Sequence, residues 1–121
     1  MKTVLLIEDN FEIRENTTEL LELAGYAVLS AINGTEGLSL AKEKVPDVVL
    51  CDIMMPETNG YDVFRGLKAH DTTRSIPFIF VTASAEKSEM QAGIAMGAAG
   101  YIRKPFEEQE LFDAIESCFV S

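Results

Sequence analysis

The chain has 121 residues, 47% of them hydrophobic and 25% charged, so it reads as one domain, 1–121, able to bury about two-thirds of its unfolded surface. Twenty acidic against ten basic residues give a formal net charge of −10, a field that repels nucleic acid and anionic lipid where no basic patch overrides it, and none is visible. No apolar run approaches the ~20 residues of a membrane span, and Met1-Lys2-Thr3-Val4 runs into Glu8-Asp9 too early for a signal peptide, so a cytoplasmic protein is expected. Cys51 and Cys118 match no metal or redox spacing and are read as small core residues.

Taken in order, apolar runs alternate with amphipathic stretches five times. Val4–Ile7 reads as a strand, followed by a helix over 11–24 with Ile13, Thr17, Leu20, Leu21 and Ala24 at helical spacing and Gly25 at its C-terminal end. A second strand over 26–31 alternates more and suits a sheet edge. Asn33-Gly34 breaks the chain before a helix over 35–44, which Pro46 ends. The third strand, 47–52, carries the apolar run Val48-Val49-Leu50-Cys51 and ends at Asp52, and the loop 53–59 leads to a helix over 61–70. Pro77 opens a fourth apolar strand that ends at Thr82, and a helix over 84–96 follows, weakened by Gly93 and closed by Gly97. Tyr101-Ile102 belongs to a fifth strand that Lys104-Pro105 ends. The last helix, 107–119, presents Leu111, Phe112, Ile115, Cys118 and Phe119 on one face and carries acids at its start. His70, near a helix end, is expected at the surface, and Met90 and Met96 fill gaps.

Regular strand-then-helix alternation implies a parallel sheet covered on both faces, joined by right-handed crossovers. Strands one, three and four are apolar on both faces and belong in the middle. A flavodoxin-like (βα)5 three-layer α/β sandwich, with a five-stranded parallel sheet of order 2-1-3-4-5, satisfies that by leaving strands two and five at the edges. All carboxyl ends then share one rim. The first strand brings Glu8 and Asp9 there, the third Asp52, the fourth Thr82 and the fifth Lys104. Crowded carboxylates repel one another unless a cation neutralises them, and hard oxygen ligands suit Mg2+. A lysine and a threonine hydroxyl would hold the oxygens of a phosphoryl group on Asp52, with Asp52 as nucleophile.

Leu6-Ile7-Glu8-Asp9-Asn10, Asp52-Ile53-Met54-Met55-Pro56, Val81-Thr82-Ala83 and Lys104-Pro105-Phe106, in this order and spacing, resemble the receiver domain of two-component response regulators over nearly the whole chain. The resemblance implies that Asp52 accepts a phosphoryl group from a sensor histidine kinase or a histidine phosphotransfer protein in a Mg2+-dependent phosphorelay. It implies that Asp9, Asp52 and the backbone carbonyl of Met54 bind Mg2+, with Glu8 acting through water, and that Thr82 and Lys104 contact the phosphoryl oxygens. It further implies a cis bond before Pro105, a small Ala83 that keeps the site open, and a Tyr101 ring that turns inward when the threonine shifts. The output partner is expected on the fourth helix, fifth strand and fifth helix, with the chain a monomer or a phosphorylation-dependent dimer. Such a chain is a signalling switch that promotes its own phosphorylation and dephosphorylation, not a turnover enzyme. Glu8 stands where Asp is commoner. Met54 and Ser84, each two residues past a site residue, bear on the lifetime of the phosphoryl bond; Met54 cannot orient an attacking water, so slow self-dephosphorylation is expected.

Two other classes are weighed. A phosphohydrolase of the haloacid-dehalogenase type needs a second Asp two residues after the nucleophile, where this chain has Met54. A flavin- or nucleotide-binding module cradles phosphate after its first strand, where Glu8-Asp9-Asn10-Phe11 would repel it.

Overall fold

The computed structural model describes residues 1–83 and 87–119. The elements are β1 (Thr3–Ile7), α1 (Phe11–Leu23), β2 (Ala27–Ala31), α2 (Gly34–Lys44), β3 (Val48–Asp52), α3 (Gly60–Lys68), β4 (Phe78–Thr82), α4 (Lys87–Ala95), β5 (Gly100–Arg103) and α5 (Glu108–Ser117). The strands pair in parallel in the order β2-β1-β3-β4-β5, the order expected from their apolar content. All of β3 and β4 is buried, and only Thr3 of β1 is not, as central strands covered on both faces require.

Strand side chains alternate between faces, so residue parity sorts the core into two layers. Leu5, Ile7, Val49, Cys51, Phe78 and Phe80 pack against Ala41 of α2 and Val63, Phe64 and Leu67 of α3. Val4, Leu6, Val48, Leu50, Ile79, Val81 and Ile102 pack against Leu21 of α1 and Leu111 and Ile115 of α5. Burying each of Phe78 and Phe80 contributes roughly 1.5–3 kcal/mol. The register sets Ile7 opposite Cys51, Cys51 opposite Phe80, and Phe80 opposite Tyr101, so one row of side chains crosses from β1 to the β5 edge.

The helix ends follow from a few residues. Asn10, Asn33 and Asn59 cap α1, α2 and α3, each side-chain oxygen accepting the amide three residues on. Gly25 (φ 98°) and Gly97 (φ 107°) take left-handed geometry after α1 and α4. The following amides, Tyr26 and Ala98, bond back to the carbonyls of Leu21 and Gly93. That bond is why β2 starts at Ala27 and not at Tyr26, whose amide closes the helix. The same turn lifts Ala24 into solvent, so the buried face of α1 reduces to Thr17 and Leu21 with Ile13 and Leu20 at its margin. α5 ends at Ser117, two residues short of the expected span, and Cys118 and Phe119 lie half-buried against the core. Cys51 is buried and His70 exposed, as read from the sequence. Ser84 lies outside the described residues.

Candidate functional site

The carboxyl rim of the sheet brings four of the expected residues into one cluster. Asp52 ends β3, and Glu8 and Asp9 follow β1. The Glu8 amide extends the ladder to β2 by donating to the Ala31 carbonyl at 3.0 Å. Lys104 follows β5, its amide donating to the Thr82 carbonyl at 2.7 Å, so its backbone too is held by the sheet. The Lys104 ammonium donates to Glu8 Oε1 at 2.5 Å and to Asp52 Oδ2 at 3.0 Å. Carboxylate oxygens of Glu8, Asp9 and Asp52 all lie within 4.8 Å of one another. Thr82 is fully buried and closes β4 one residue beyond Val81, the register partner of Asp52.

Several backbone contacts fix these groups. The Met54 amide donates to Asp52 Oδ1 at 3.2 Å, and the Asn10 amide donates to Glu8 Oε2 at 3.2 Å. Arg14 on α1 sends Nη1 to the carbonyl oxygens of Glu8 at 2.9 Å and Asp9 at 3.4 Å, bracing the turn after β1. Gly60, at the start of α3, has no space for a side chain, since a Cβ there would stand 2.5 Å from the Asp52 carbonyl oxygen. Its amide donates to the Ile53 carbonyl at 2.9 Å, so the helix end clamps the backbone that carries Asp52. Lys104 and Pro105 are joined by a cis peptide bond, as the resemblance implied.

The electrostatics follow from crowding charge into a half-dry pocket. Burial pushes the Glu8 carboxyl above its ordinary value of 4.5, the Asp52 charge adds to this, and Lys104 opposes it. Burial alone would lower Lys104, but its bonds to Glu8 and Asp52 prevail and raise it above 10.5. The lysine is therefore a permanent cation that offsets one of three negative charges. The donor set that remains, three hard carboxylates in reach of one another, fits a divalent cation of the Mg2+ type.

Beside the pocket runs an apolar groove of about 490 Å3 lined by Ile13, Ala83, Lys104, Pro105 and Phe106. Met54 is 73% exposed, so the position two after Asp52 offers the carboxylate a backbone amide and not an acid. Tyr101 stands apart from the acidic cluster, half-buried on the edge strand with its ring 6.1 Å from that of Phe80. Sequence reading missed Asn10, Arg14 and Gly60. An Asn before a helical pattern was a readable cap signal; the other two depend on what folds against them.

Fold and site together define a flavodoxin-like α/β protein with an acidic pocket and a lysine at the carboxyl rim of its sheet. Residues 4–116 match the response regulator receiver domain, and the chain belongs to that family. It is 39% identical over 110 residues to the phosphate regulon transcriptional regulatory protein PhoB of Pseudomonas aeruginosa, covering 91% of this chain and 48% of that one. It is 37% identical over 117 residues to protein PilH of the same organism, covering 97% of each. The chain thus spans about half of one relative and nearly all of the other. The crystallised chemotaxis protein CheY4 of Vibrio cholerae superposes with a TM-score of 0.91 at 29% identity over 98% of both chains. Among the described residues, no helix is long and apolar enough to cross a membrane.

Proposed function

We propose that the chain is a phosphorylation switch in which Asp52 accepts a phosphoryl group from a phosphohistidine on a sensor kinase or phosphotransfer protein. The observation that carries this reading is the convergence on one pocket of Asp52, a lysine 3.0 Å from it, and two further carboxylates in ligand range. An oxygen of Asp52 attacks phosphorus, the P–N bond breaks, and its electron pair returns to the donor's imidazole. Asp52 Oδ1 is oriented by the Met54 amide, which leaves the other oxygen toward Lys104. Lys104 then moves its ammonium from the carboxylate to the arriving phosphoryl oxygens, and Thr82 supplies a hydroxyl on the neighbouring strand. Asp9, Asp52 and the Met54 carbonyl are the proposed Mg2+ ligands, with Glu8 contributing through water. A Mg2+ ion held by these groups would supply positive charge to offset that of the phosphoryl oxygens.

Charge added at Asp52 and held by Thr82 and Lys104 biases a two-state element that includes Tyr101 and α4, and the downstream effector reads α4, β5 and α5. The domain is proposed to act as one unit over 1–121, as a stand-alone regulator or as the receiver of a longer protein. Incubation with a small phosphodonor and Mg2+ followed by intact mass tests the core of this reading. Wild type gains one phosphoryl group and Asp52→Asn gains none; equal labelling of the variant would refute Asp52 as acceptor.

A further inference from the structure

The edge tyrosine lies in a seat that depends on one glycine. Tyr101 is half-buried on β5, packs against the core through Phe80, and has a buried hydroxyl oxygen. The wall of this seat is Gly93, buried in the middle of α4. A Cβ at Gly93 would stand 3.1 Å from Tyr101 Cδ2 and 3.3 Å from both Tyr101 Cε2 and Phe80 Cδ2. Contacts of 3.1–3.3 Å are tighter than a Cβ ordinarily makes, so one neighbour would have to give by a few tenths of an ångström. Phe80 cannot, because it is fully buried between Phe78 at 4.9 Å, Tyr61 at 5.1 Å and Phe64 at 5.7 Å between ring centroids. Tyr101 has more room, since it sits on the edge strand and is only half-buried.

Gly93 also carries a cost that calls for a reason. Glycine inside a helix is less favourable than alanine, and among the described side chains of α4 those of Gln91, Ala92, Ile94 and Ala95 are all exposed. We infer that Gly93 is a positioning residue: it admits the inward Tyr101 ring, and a side chain at 93 pushes that ring outward and loosens α4 from the row Ile7–Cys51–Phe80–Tyr101. This rests on the proposed reading of Tyr101 and α4 as the switching element. The consequence is a specificity of the output face. α4 and β5 present the surface made with the tyrosine folded in, and a partner of the chain recognises a face from which the phenol is withdrawn.

The test combines a spectroscopic signature with a rescue. In chain labelled with 3-fluorotyrosine, the Tyr101 resonance, assigned by Tyr101→Phe, should move toward the free fluorotyrosine position in Gly93→Ala, while those of Tyr26 and Tyr61 stay in place. The melting midpoint should fall further in Gly93→Ala than when the same change is made in Tyr101→Ala, where both tyrosine contacts are gone and the 3.3 Å approach to Phe80 alone opposes the better helix propensity of alanine. An unmoved Tyr101 resonance, or an equal change in midpoint in both backgrounds, would overturn the inference. Should Gly93→Ala alone fail to fold, a folded double variant supports the seat, and a double variant that also fails overturns it, because the obstruction is then not the tyrosine. Ring position and phosphoryl uptake are read separately. Failed labelling of Asp52 leaves the seat measurable, and an unmoved ring leaves phosphorylation at Asp52 untouched.

Discussion

Lys104 reaches Asp52 at 3.0 Å from two strands away, and the same ammonium holds Glu8 on the far side of the pocket. Removing it as Lys104→Gln leaves two buried carboxylates facing each other with no counter-charge. The expected loss at neutral pH is about 1–2 kcal/mol, less than the ~3–5 of a fully enclosed pair because water at the rim screens the charges. The pH dependence has a definite sign. A lysine raised above 10.5 contributes stability that is whole below that value and lost as pH climbs through the raised one. Glu8, raised above 4.5, favours the fold in its protonated form, so its contribution is whole below 4.5 and lost as pH rises through the raised value. The deficit of Lys104→Gln should therefore shrink in mildly acidic buffer, where Glu8 protonates and the repulsion ends. Urea unfolding of both proteins at the two pH values reads this directly, and a deficit independent of pH would contradict it.

Three carboxylates within 4.8 Å of one another and a single lysine leave negative charge to spare. A ligand that binds the folded form alone stabilises it by about 2.7 kcal/mol at a hundredfold excess over its Kd. Mg2+ should accordingly raise the melting midpoint in a saturable way, while NaCl at matched ionic strength does not. Asp9→Asn should lose most of the rise, since Asp9 is the exposed carboxylate of the proposed metal set and has no lysine partner among the ion pairs described. An equal rise in that variant would remove Asp9 from the proposed metal set.

The strand order and the acidic rim were legible because they rest on local pattern. Apolar runs that end in Glu8-Asp9, Asp52, Thr82 and Lys104 announce buried parallel strands, and parallel strands share one rim. The element ends were less legible. Tyr26 reads as a strand residue, yet its amide is needed to close α1, and Ala24 completes a helical stripe that the chain turns away from the core. Gly93 was legible only as a weak point of its helix and Gly60 was not singled out, because what each requires is the absence of an atom against a neighbouring strand or strand end. Arg14 belongs to the same class: its targets are carbonyl oxygens at a strand end, which no side-chain pattern reports.

Gly60 makes that dependence measurable. A Cβ there meets the Asp52 carbonyl oxygen at 2.5 Å and the Ile53 Cα at 2.9 Å, both backbone atoms with nowhere to go. Gly60→Ala should cost about 1–3 kcal/mol, as overpacking does, despite the better helix propensity of alanine. It should also slow phosphoryl uptake, because the shift falls on the backbone that carries Asp52. A variant of wild-type stability and wild-type uptake would show that α3 is not clamped there.

Met54 sets a prediction on persistence. Its side chain is 73% exposed beside Asp52, and a thioether neither donates a proton nor orients water well. The phosphoryl group on Asp52 should therefore decay slowly, and Met54→Asn should shorten its lifetime several-fold by offering an amide to the attacking water. Decay followed by intact mass after removal of the phosphodonor gives the rate. An unchanged lifetime would place control elsewhere.

The two thiols separate cleanly by environment. Cys51 is fully buried in β3, and burial first, with the nearby charges of Asp52 and Glu8 adding to it, holds its thiol well above the ordinary 9.0. Cys118 is half-buried after α5, and burial raises it too. Since the thiolate is the reacting form, both should be sluggish, and Cys51 should be inert in the folded chain. The sign for stability follows: a raised thiol contributes stability that is whole below 9.0 and lost as pH rises through the raised value, so alkaline buffer weakens the fold and opens Cys51. Cys118→Ser isolates the buried thiol. Its labelling by a thiol reagent should track unfolding across a denaturant series and increase in alkaline buffer, because β3 lies in the centre of the sheet and opens only with the whole. Rapid labelling of Cys118→Ser in native buffer would mean that the strand carrying Asp52 opens locally, and the rigid seat assigned to that carboxylate would have to be given up.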